Sequence, residues 1–194
     1  MTDKKRVAIV IAPELFHDHE LEMPMEALKF AGAEITIAST TLDTCRGVYG
    51  TMVDPDTTID TLRPEDFDAL MVTGGHGAVD FLFLNEPLLG FVREMNGQGK
   101  VVASICSAGG VLANSGILKG KKATGYNMEE VEEAFQAAGV ELIKDEKERG
   151  LVIEDGNILT GSGPEAVTKF TAALLRKLDL ISEGVDKVPF SKLR

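Results

Sequence analysis

Short apolar runs that alternate with segments of helical periodicity limit the folds open to this chain. Residues 7–12 form an almost continuous β-branched and apolar run, and residues 69–73 and 101–105 repeat the pattern. Such runs are typical of strands that are covered on both faces. Apolar residues in the intervening segments recur every three or four positions. Repeated strand–helix units predict an α/β fold with a mainly parallel central sheet and helices on both faces.

The same periodicities predict where the individual elements lie. Strands are predicted at residues 7–12, 34–38, 69–73 and 101–105, a hairpin at 152–160 around Asp155-Gly156-Asn157, and a small hairpin or irregular excursion at 45–53. Helices are predicted at residues 21–31, 87–97, 107–115, 127–139 with Asn127 as cap, and 162–178 behind a capping box from Ser162 to Glu165. Pro24 is expected either to kink the first helix or to begin its regular part.

Length and composition predict one globular domain that spans residues 1–194. The chain has 194 residues, 44% of them hydrophobic, which is enough for a full two- or three-layer core. That core is expected to cover about residues 6–178, and residues 179–194, where periodicity is weak, are expected to form a C-terminal arm. No apolar run is long enough to span a bilayer.

Charge and cysteine content exclude several classes of function. Lys and Arg number 20 against 31 Asp and Glu, a formal charge of −11 with no basic block, so neither nucleic acid nor a membrane is expected as partner. Cys45 and Cys106 are the two cysteines, too few for a disulfide framework or a four-ligand zinc cluster. A reducing, cytoplasmic location is therefore expected.

Cys106 carries the sharpest chemical signal. It lies between a β-branched strand and the small residues Ser107, Ala108, Gly109 and Gly110. A nucleophile elbow requires such small neighbours because the backbone of its nucleophile is strained. A helix beginning there would favour a thiolate through its N–H groups and dipole. The alternative is an inert cysteine buried at a tightly packed strand end.

The strand that ends at residue 73 is followed by Gly74-Gly75-His76-Gly77. Glycines allow close backbone approach, so this turn could supply one arm of an oxyanion hole, with the N–H groups of Gly75 and Ser107 as donors. The alternative is a tight turn without chemical function. His76 borders the expected pocket and is the best-placed histidine to act as a base, unless it faces solvent or a subunit contact.

Glu20 lies in the acidic, histidine-rich segment before the first helix. It follows a predicted strand, as do Gly74 and Cys106, so all three point to one rim of a parallel sheet, where ligands bind in such folds. From the residues alone a solvated helix start is the preferred interpretation of Glu20. His17 and His19 could bind a metal, but no further ligand cluster accompanies them, so no metal site is predicted.

Together these residues resemble the PfpI/ThiJ superfamily, which has the fold of the class I glutamine amidotransferases. The likeness runs from Val7 to about Leu178. Its motifs are an acidic residue four positions before a proline (Glu20 and Pro24), a glycine pair at a strand end (Gly74-Gly75), an elbow cysteine after Ala103-Ser104-Ile105, and the segment from Gly116 to Thr124.

The resemblance implies a three-layer flavodoxin-like sandwich with a small β-hairpin excursion. It also implies that the Glu20 carboxyl group is protonated and hydrogen-bonds to the Cys106 sulfur. A carboxyl group beside a thiolate keeps its proton because two adjacent anions repel. Members of the family are commonly dimers or larger, so a homodimer or larger homo-oligomer is expected. Exposed apolar residues near Tyr49 and at residues 81–84 are predicted to form the contact.

Two departures from the family pattern restrict the activity. The protease-like and many glyoxalase-like members carry a histidine directly after the cysteine, where this chain has Ser107. Other members carry a histidine or an apolar residue after the segment that ends at Thr124, where this chain has Gly125-Tyr126. A peptidase triad is therefore incomplete, and an intracellular cysteine peptidase is disfavoured. Tyr126 is expected either to supply a hydroxyl to the pocket or to serve packing.

The leading hypothesis is a glyoxalase- or deglycase-like enzyme that acts on small reactive carbonyls and needs no cofactor. Cys106 would be the nucleophile, Glu20 would transfer protons, and His76 would be an auxiliary base. Gly75 and Ser107 would stabilise the alkoxide, and Gly74, Gly77 and Tyr126 could line the pocket. The rival hypothesis is a redox-responsive or chaperone-like stress protein that uses oxidation of Cys106.

Overall fold

The protein is described by a computed structural model over residues 4–144 and 150–181. Over these residues the strands are β1 (Arg6–Val10), β2 (Glu14–Phe16), β3 (Glu34–Ser39), β4 (Cys45–Gly47), β5 (Met52–Val53), β6 (Thr57–Thr58), β7 (Ala69–Val72), β8 (Val101–Ile105), β9 (Lys122–Ala123), β10 (Glu141–Leu142), β11 (Val152–Asp155) and β12 (Ile158–Gly161). The α-helices are α1 (Asp18–Phe30), α2 (Glu86–Gly97), α3 (Gly109–Asn114), α4 (Glu129–Ala138) and α5 (Val167–Lys177). The predicted C-terminal arm lies, from residue 182 onward, outside the described residues.

The central sheet has seven strands in the order β11-β12-β8-β7-β1-β3-β6. All neighbours pair in parallel except β11 and β12, which form the antiparallel hairpin predicted around Asp155-Gly156-Asn157. The parallel strands β7, β1 and β8 lie at the centre, so their carboxyl ends meet at one edge. The predicted α/β fold with a mainly parallel sheet is confirmed.

Helices cover both faces of this sheet and make it a three-layer sandwich. Ala8 and Val10 of β1 pack in the cluster that contains α2, α3 and α4, whereas Val7 and Ile9 pack in the cluster that contains α1 and α5. Successive side chains of a strand point to opposite faces, so a β-branched run such as β1 buries residues in both clusters. The flavodoxin-like architecture is thereby confirmed.

A small separate sheet stands beside the central one. Its β4 and β5 form the hairpin predicted at residues 45–53, with Cys45 opposite Val53. Strand β2, which the sequence does not predict, pairs in parallel with β4. Leu15 in the middle of β2 has φ +55°, a left-handed conformation that interrupts the regular alternation of a strand. We call the segment that spans β4 and β5 the hairpin below.

Three details of the helices differ from the prediction. Pro24 lies inside α1, which begins six residues earlier at Asp18, so Glu20 belongs to the first helical turn. Met128 rather than Asn127 occupies the N-cap of α4. The capping box at Ser162 is absent because its hydroxyl accepts the Leu151 N–H at 3.0 Å, and a short 3₁₀ turn precedes α5 instead.

Exposed apolar residues are fewer than predicted between residues 81 and 84. Phe81 and Leu84 are exposed, but Leu82 is fully buried and the Phe83 ring lies against Gly110. Tyr49 in the hairpin is 68% exposed, as expected. Self-association through these residues stays a prediction. No helix in the described part of the chain is long and apolar enough to cross a membrane.

Candidate active site

Cys106 occupies the bend between β8 and the helical residues that follow it. Its φ is +62°, a left-handed backbone conformation that costs a residue other than glycine about 1–3 kcal/mol. A 3₁₀ turn from Cys106 to Ala108 leads directly into α3. A Cβ on Gly109 would lie 2.9 Å from the Phe135 ring, so bulky residues could not follow the cysteine. The bend therefore has the strain and the small neighbours of a nucleophile elbow.

Gly74 is the point at which Cys106 and Glu20 meet. A Cβ placed on Gly74 would lie 2.6 Å from Cys106 Cβ and 2.8 Å from Glu20 Oε2. The Gly74 N–H also donates to Glu20 Oε2 at 3.0 Å. Only glycine leaves room for both side chains, so the strand end of β7 brings the carboxyl group of α1 and the thiol of β8 together.

Glu20 is fully buried although it lies in the first turn of a helix. Burial raises its pKa to about 8, and hydrogen bonds with Gly74 and Cys106 oppose that rise. Its second oxygen, Oε1, accepts no N–H or O–H group from the described residues. Burial therefore favours the protonated, neutral form of Glu20 at pH 7, and the solvated helix start is excluded.

The environment of Cys106 opposes the thiolate that a helix N-terminus would favour. The residue is 5% exposed, and burial, followed by repulsion from Glu20 in its ionised form, raises the pKa of its thiol. Hydrogen bonds from the N–H groups of Gly75 and Ser107 act in the opposite direction. The thiol and the carboxyl group thus compete for protons, and ionising both would place two anions in contact.

Gly75 and Ser107 face the sulfur from two different loops. The Ser107 hydroxyl donates to the Gly75 carbonyl oxygen at 2.7 Å and so ties the loops together. The backbone N–H groups of both residues lower the pKa of the Cys106 thiol, against the effect of burial. The two residues that the sequence suggests as oxyanion-hole donors are therefore near each other.

The glycines around His76 serve a close contact with β2. Gly75 has φ +97°, and a Cβ there would overlap the Leu15 carbonyl oxygen. A Cβ on Gly77 would overlap the Glu14 carbonyl oxygen. Gly77 thus allows the turn to pack directly against β2, while the His76 side chain is exposed. A catalytic part for His76 stays a prediction.

Tyr126 lies beside the elbow. Its N–H donates to the Cys106 carbonyl oxygen at 3.1 Å, which fixes its backbone against the bend. The side chain is 45% exposed, and its ring packs over Gly163, where a Cβ would lie 3.1 Å from Cδ2. The ring thus forms part of the rim of the site.

His17 and Glu165 are two rim residues that sequence reasoning missed as part of this site. His17 is 9% exposed, its N–H donates to the Gly74 carbonyl oxygen at 3.0 Å, and its Nδ1 is buried without a partner among the described residues. Burial lowers its pKa. The Glu165 carboxylate raises the pKa of both His17 and Glu20 electrostatically. The spacing between His17 and Glu20 could have indicated His17. Glu165 was instead assigned to the predicted capping box, which the structure does not form.

Asp18 anchors the hairpin beside the site. Its carboxylate accepts the N–H groups of Tyr49 at 2.9 Å and Thr51 at 2.8 Å, and these bonds lower its pKa against the effect of burial. The Tyr49 ring in turn lies 5.4 Å from the ring of His17. Within residues 4–144 and 150–181, no group of three or more His, Cys, Asp or Glu side chains is arranged to hold a metal.

Comparison with known proteins places this geometry in a family. A model of the DJ-1/PfpI family matches residues 5–177. An uncharacterized protein of Methanocaldococcus jannaschii is 36% identical over 92% of this chain and 84% of its own length. Deglycase PfpI of Pyrococcus furiosus is 38% identical over 77% of this chain and 85% of its own. The crystal structure of a ThiJ/PfpI domain protein from Brachyspira murdochii has the same fold, with a TM-score of 0.83 at 24% identity over 93% of this chain and all of that one.

Proposed function

The chain belongs to the DJ-1/PfpI family, and on that basis we propose that it is a cysteine-dependent enzyme that acts on small reactive carbonyls and their adducts. The similarity to Deglycase PfpI supports a deglycase-like activity, and a glyoxalase-like activity on the same carbonyl compounds is included in the proposal. The chemistry would need no cofactor, because Cys106 and Glu20 together can supply both the nucleophile and the proton transfer.

The contact of Cys106 with a neutral Glu20 at Gly74 carries the proposal. A buried carboxylic acid with a pKa near 8 can both donate and accept a proton at neutral pH, which is the requirement for general acid–base catalysis. The raised thiol pKa means that a free thiolate is scarce. Attack is therefore proposed to be coupled to transfer of the thiol proton rather than to follow a separate ionisation.

In the first step the Cys106 sulfur forms a bond to the aldehyde carbon of a 2-oxoaldehyde. The thiol proton passes to Glu20, and a Glu20 proton passes to the carbonyl oxygen, so that a hemithioacetal forms and Glu20 ends as it began. With an amine adduct, sulfur displaces the amine, which leaves with the thiol proton. The N–H groups of Gly75 and Ser107 would move from the sulfur to the developing oxyanion.

The second stage returns the free thiol. Transfer of hydrogen from the hemithioacetal carbon to the neighbouring carbonyl carbon, through loss and regain of a proton, converts the hemithioacetal into a thioester. Water then hydrolyses the thioester to a 2-hydroxy acid and regenerates the thiol. For methylglyoxal the product is lactate, and the overall reaction adds one water to methylglyoxal. His76 is proposed only as an auxiliary base for this stage.

The test measures lactate formed from methylglyoxal, and amine released from its lysine adduct, by wild type and three variants. Cys106→Ala should abolish both activities, while Cys45→Ala, which changes the other buried cysteine, should retain them. Glu20→Gln should lower kcat about 10²- to 10⁴-fold because the proton transfer is lost. Lactate formation by Cys106→Ala at the wild-type rate would overturn the proposal.

A redox-responsive function is the second candidate, because a neutral Glu20 beside the sulfur could also donate to a sulfinate. The raised thiol pKa and low exposure argue against rapid oxidation, since the thiolate is the species that reacts with peroxide. Mild peroxide should therefore leave the mass of the Cys106 peptide unchanged. A stable gain of two oxygens in wild type, absent in Glu20→Leu, would favour the redox function.

A further inference from the structure

Tyr126 and Glu165 face the same point on the rim of the Cys106 site. A Cβ built on Gly163 would lie 3.1 Å from Tyr126 Cδ2 and 3.8 Å from Glu165 Oε2. The absence of a side chain at Gly163 therefore allows the aromatic ring and the carboxylate to lie close to each other over its backbone. Both residues are exposed, so a ligand can reach them.

This pair is next to the reactive residues. The Tyr126 N–H donates to the Cys106 carbonyl oxygen, so the backbone that carries the ring lies against the elbow. The Glu165 carboxylate acts electrostatically on Glu20, the partner of the sulfur, and on His17 across the rim. A ligand whose carbonyl carbon meets the sulfur would therefore extend past the ring and the carboxylate.

We propose that Tyr126 and Glu165 form a cation-selecting subsite at the mouth of the Cys106 site. The face of an aromatic ring attracts a cation, and a carboxylate beside it adds a direct Coulomb attraction. The same carboxylate repels anions. The preferred substrates would then be carbonyl compounds or adducts that carry a positive charge near the reacting carbon, and 2-oxo acids would be excluded. This preference rests on the proposed function, whereas the charge selectivity of the site does not.

The selectivity can be measured without any turnover, by labelling Cys106 with methanethiosulfonates. The sulfur displaces methanesulfinate and forms a mixed disulfide with the remainder of the reagent. Three reagents that differ in charge are used: trimethylammonium-ethyl (cationic), methyl (neutral) and sulfonatoethyl (anionic). Mass spectrometry of the Cys106 peptide gives each rate separately from labelling of Cys45, and the neutral reagent corrects for access and thiol reactivity.

Glu165→Gln should lower the cationic-to-anionic rate ratio about five- to tenfold at low ionic strength, and this effect should shrink in 0.5 M salt as the charge is screened. Tyr126→Leu should lower the cationic-to-neutral ratio about two- to fivefold. Glu34→Gln is the matched control, because Glu34 is exposed at the amino end of β3, on the opposite edge of the sheet. It should leave every ratio unchanged.

The subsite would be overturned by a Glu165→Gln ratio equal to that of wild type, or by an equal fall in Glu34→Gln. Failure of all three reagents to label Cys106 would do the same, because the rim would then not lead to the sulfur. The labelling result is independent of lactate formation. Absence of lactate with a shifted ratio refutes the proposed function alone, and lactate formation with an unshifted ratio refutes the subsite alone.

Discussion

Glu20→Gln is expected to change how the stability of the protein depends on pH. The folded-state pKa of Glu20, about 8, exceeds its ordinary value of 4.5, so the folded protein keeps a proton that the unfolded chain loses. Its contribution to stability is intact below pH 4.5 and falls as pH rises toward 8. At about 1.4 kcal/mol per pH unit, the loss reaches roughly 3 kcal/mol at pH 7.

Glutamine keeps the shape of the neutral acid but does not titrate, so the variant should lack this loss. Its free energy of unfolding relative to wild type should rise by about 2 kcal/mol between pH 6 and pH 8, because over this range the folded wild type largely keeps the Glu20 proton that the unfolded chain has lost. Any constant cost of the amide shifts both values equally and leaves this difference unchanged. The pI near 4.8 makes pH 6 to 8 the practical range for the measurement.

The assay is urea unfolding at pH 6, 7 and 8, with a reducing agent and one fixed protein concentration, since an oligomer would make stability depend on concentration. Glu26→Gln, an exposed carboxylate of the same helix, is the control, and its curve should run parallel to that of wild type. If the Glu20→Gln curve also runs parallel, Glu20 is not a neutral acid in the folded protein and the proton-transfer argument fails.

Three further predictions concern the surroundings of the site. Gly75→Ala should lower the free energy of unfolding in urea by more than about 3 kcal/mol, because Gly75 has a positive φ and an added Cβ would overlap β2. Gly97→Ala in α2 is the control, because an added Cβ meets open space there, and it should be neutral or raise the free energy of unfolding by up to about 1 kcal/mol. Equal effects of the two substitutions would contradict the close approach of Gly75 to β2. Asp18→Asn should cost about 1–3 kcal/mol because the hairpin loses a charged acceptor for two N–H groups, and a wild-type unfolding midpoint would refute this. The His17 imidazole should titrate below 6.5 in an NMR pH series because burial disfavours its charged form, so that falling pH destabilises the folded protein; a midpoint above 6.5 would show that burial does not dominate its pKa.

The central sheet could be predicted because each of its long strands is a short β-branched run that requires burial on both faces. β8 and the hairpin of β11 and β12 occur where the sequence predicts them. The helix ends were harder, because capping depends on partners distant in sequence. Ser162 has the spacing of a capping box, yet its hydroxyl accepts the N–H of Leu151 on the neighbouring segment instead.

Part of the candidate site could also be predicted, because its residues follow strands of the central sheet. Glu20 and Cys106 follow strands, and parallel strands bring their carboxyl ends together whatever lies between them. Glu165 reaches the rim only because α1 packs beside the start of α5, which no local pattern encodes, whereas the spacing between His17 and Glu20 could have indicated His17. β2 was missed because it has three residues, one of which, Leu15, has a left-handed backbone.

The site combines two features that a purely structural role would not favour. A cysteine at φ +62° carries backbone strain that glycine would relieve, and a buried carboxyl group costs stability at neutral pH that glutamine would avoid. The strained residue, Cys106, and the buried acid, Glu20, meet at Gly74, where an added Cβ would clash with both side chains. Packing alone would be satisfied by glycine and glutamine at these positions. Cysteine and glutamate together supply a nucleophilic sulfur and a transferable proton in contact, which is the combination that the proposed addition to a carbonyl would use.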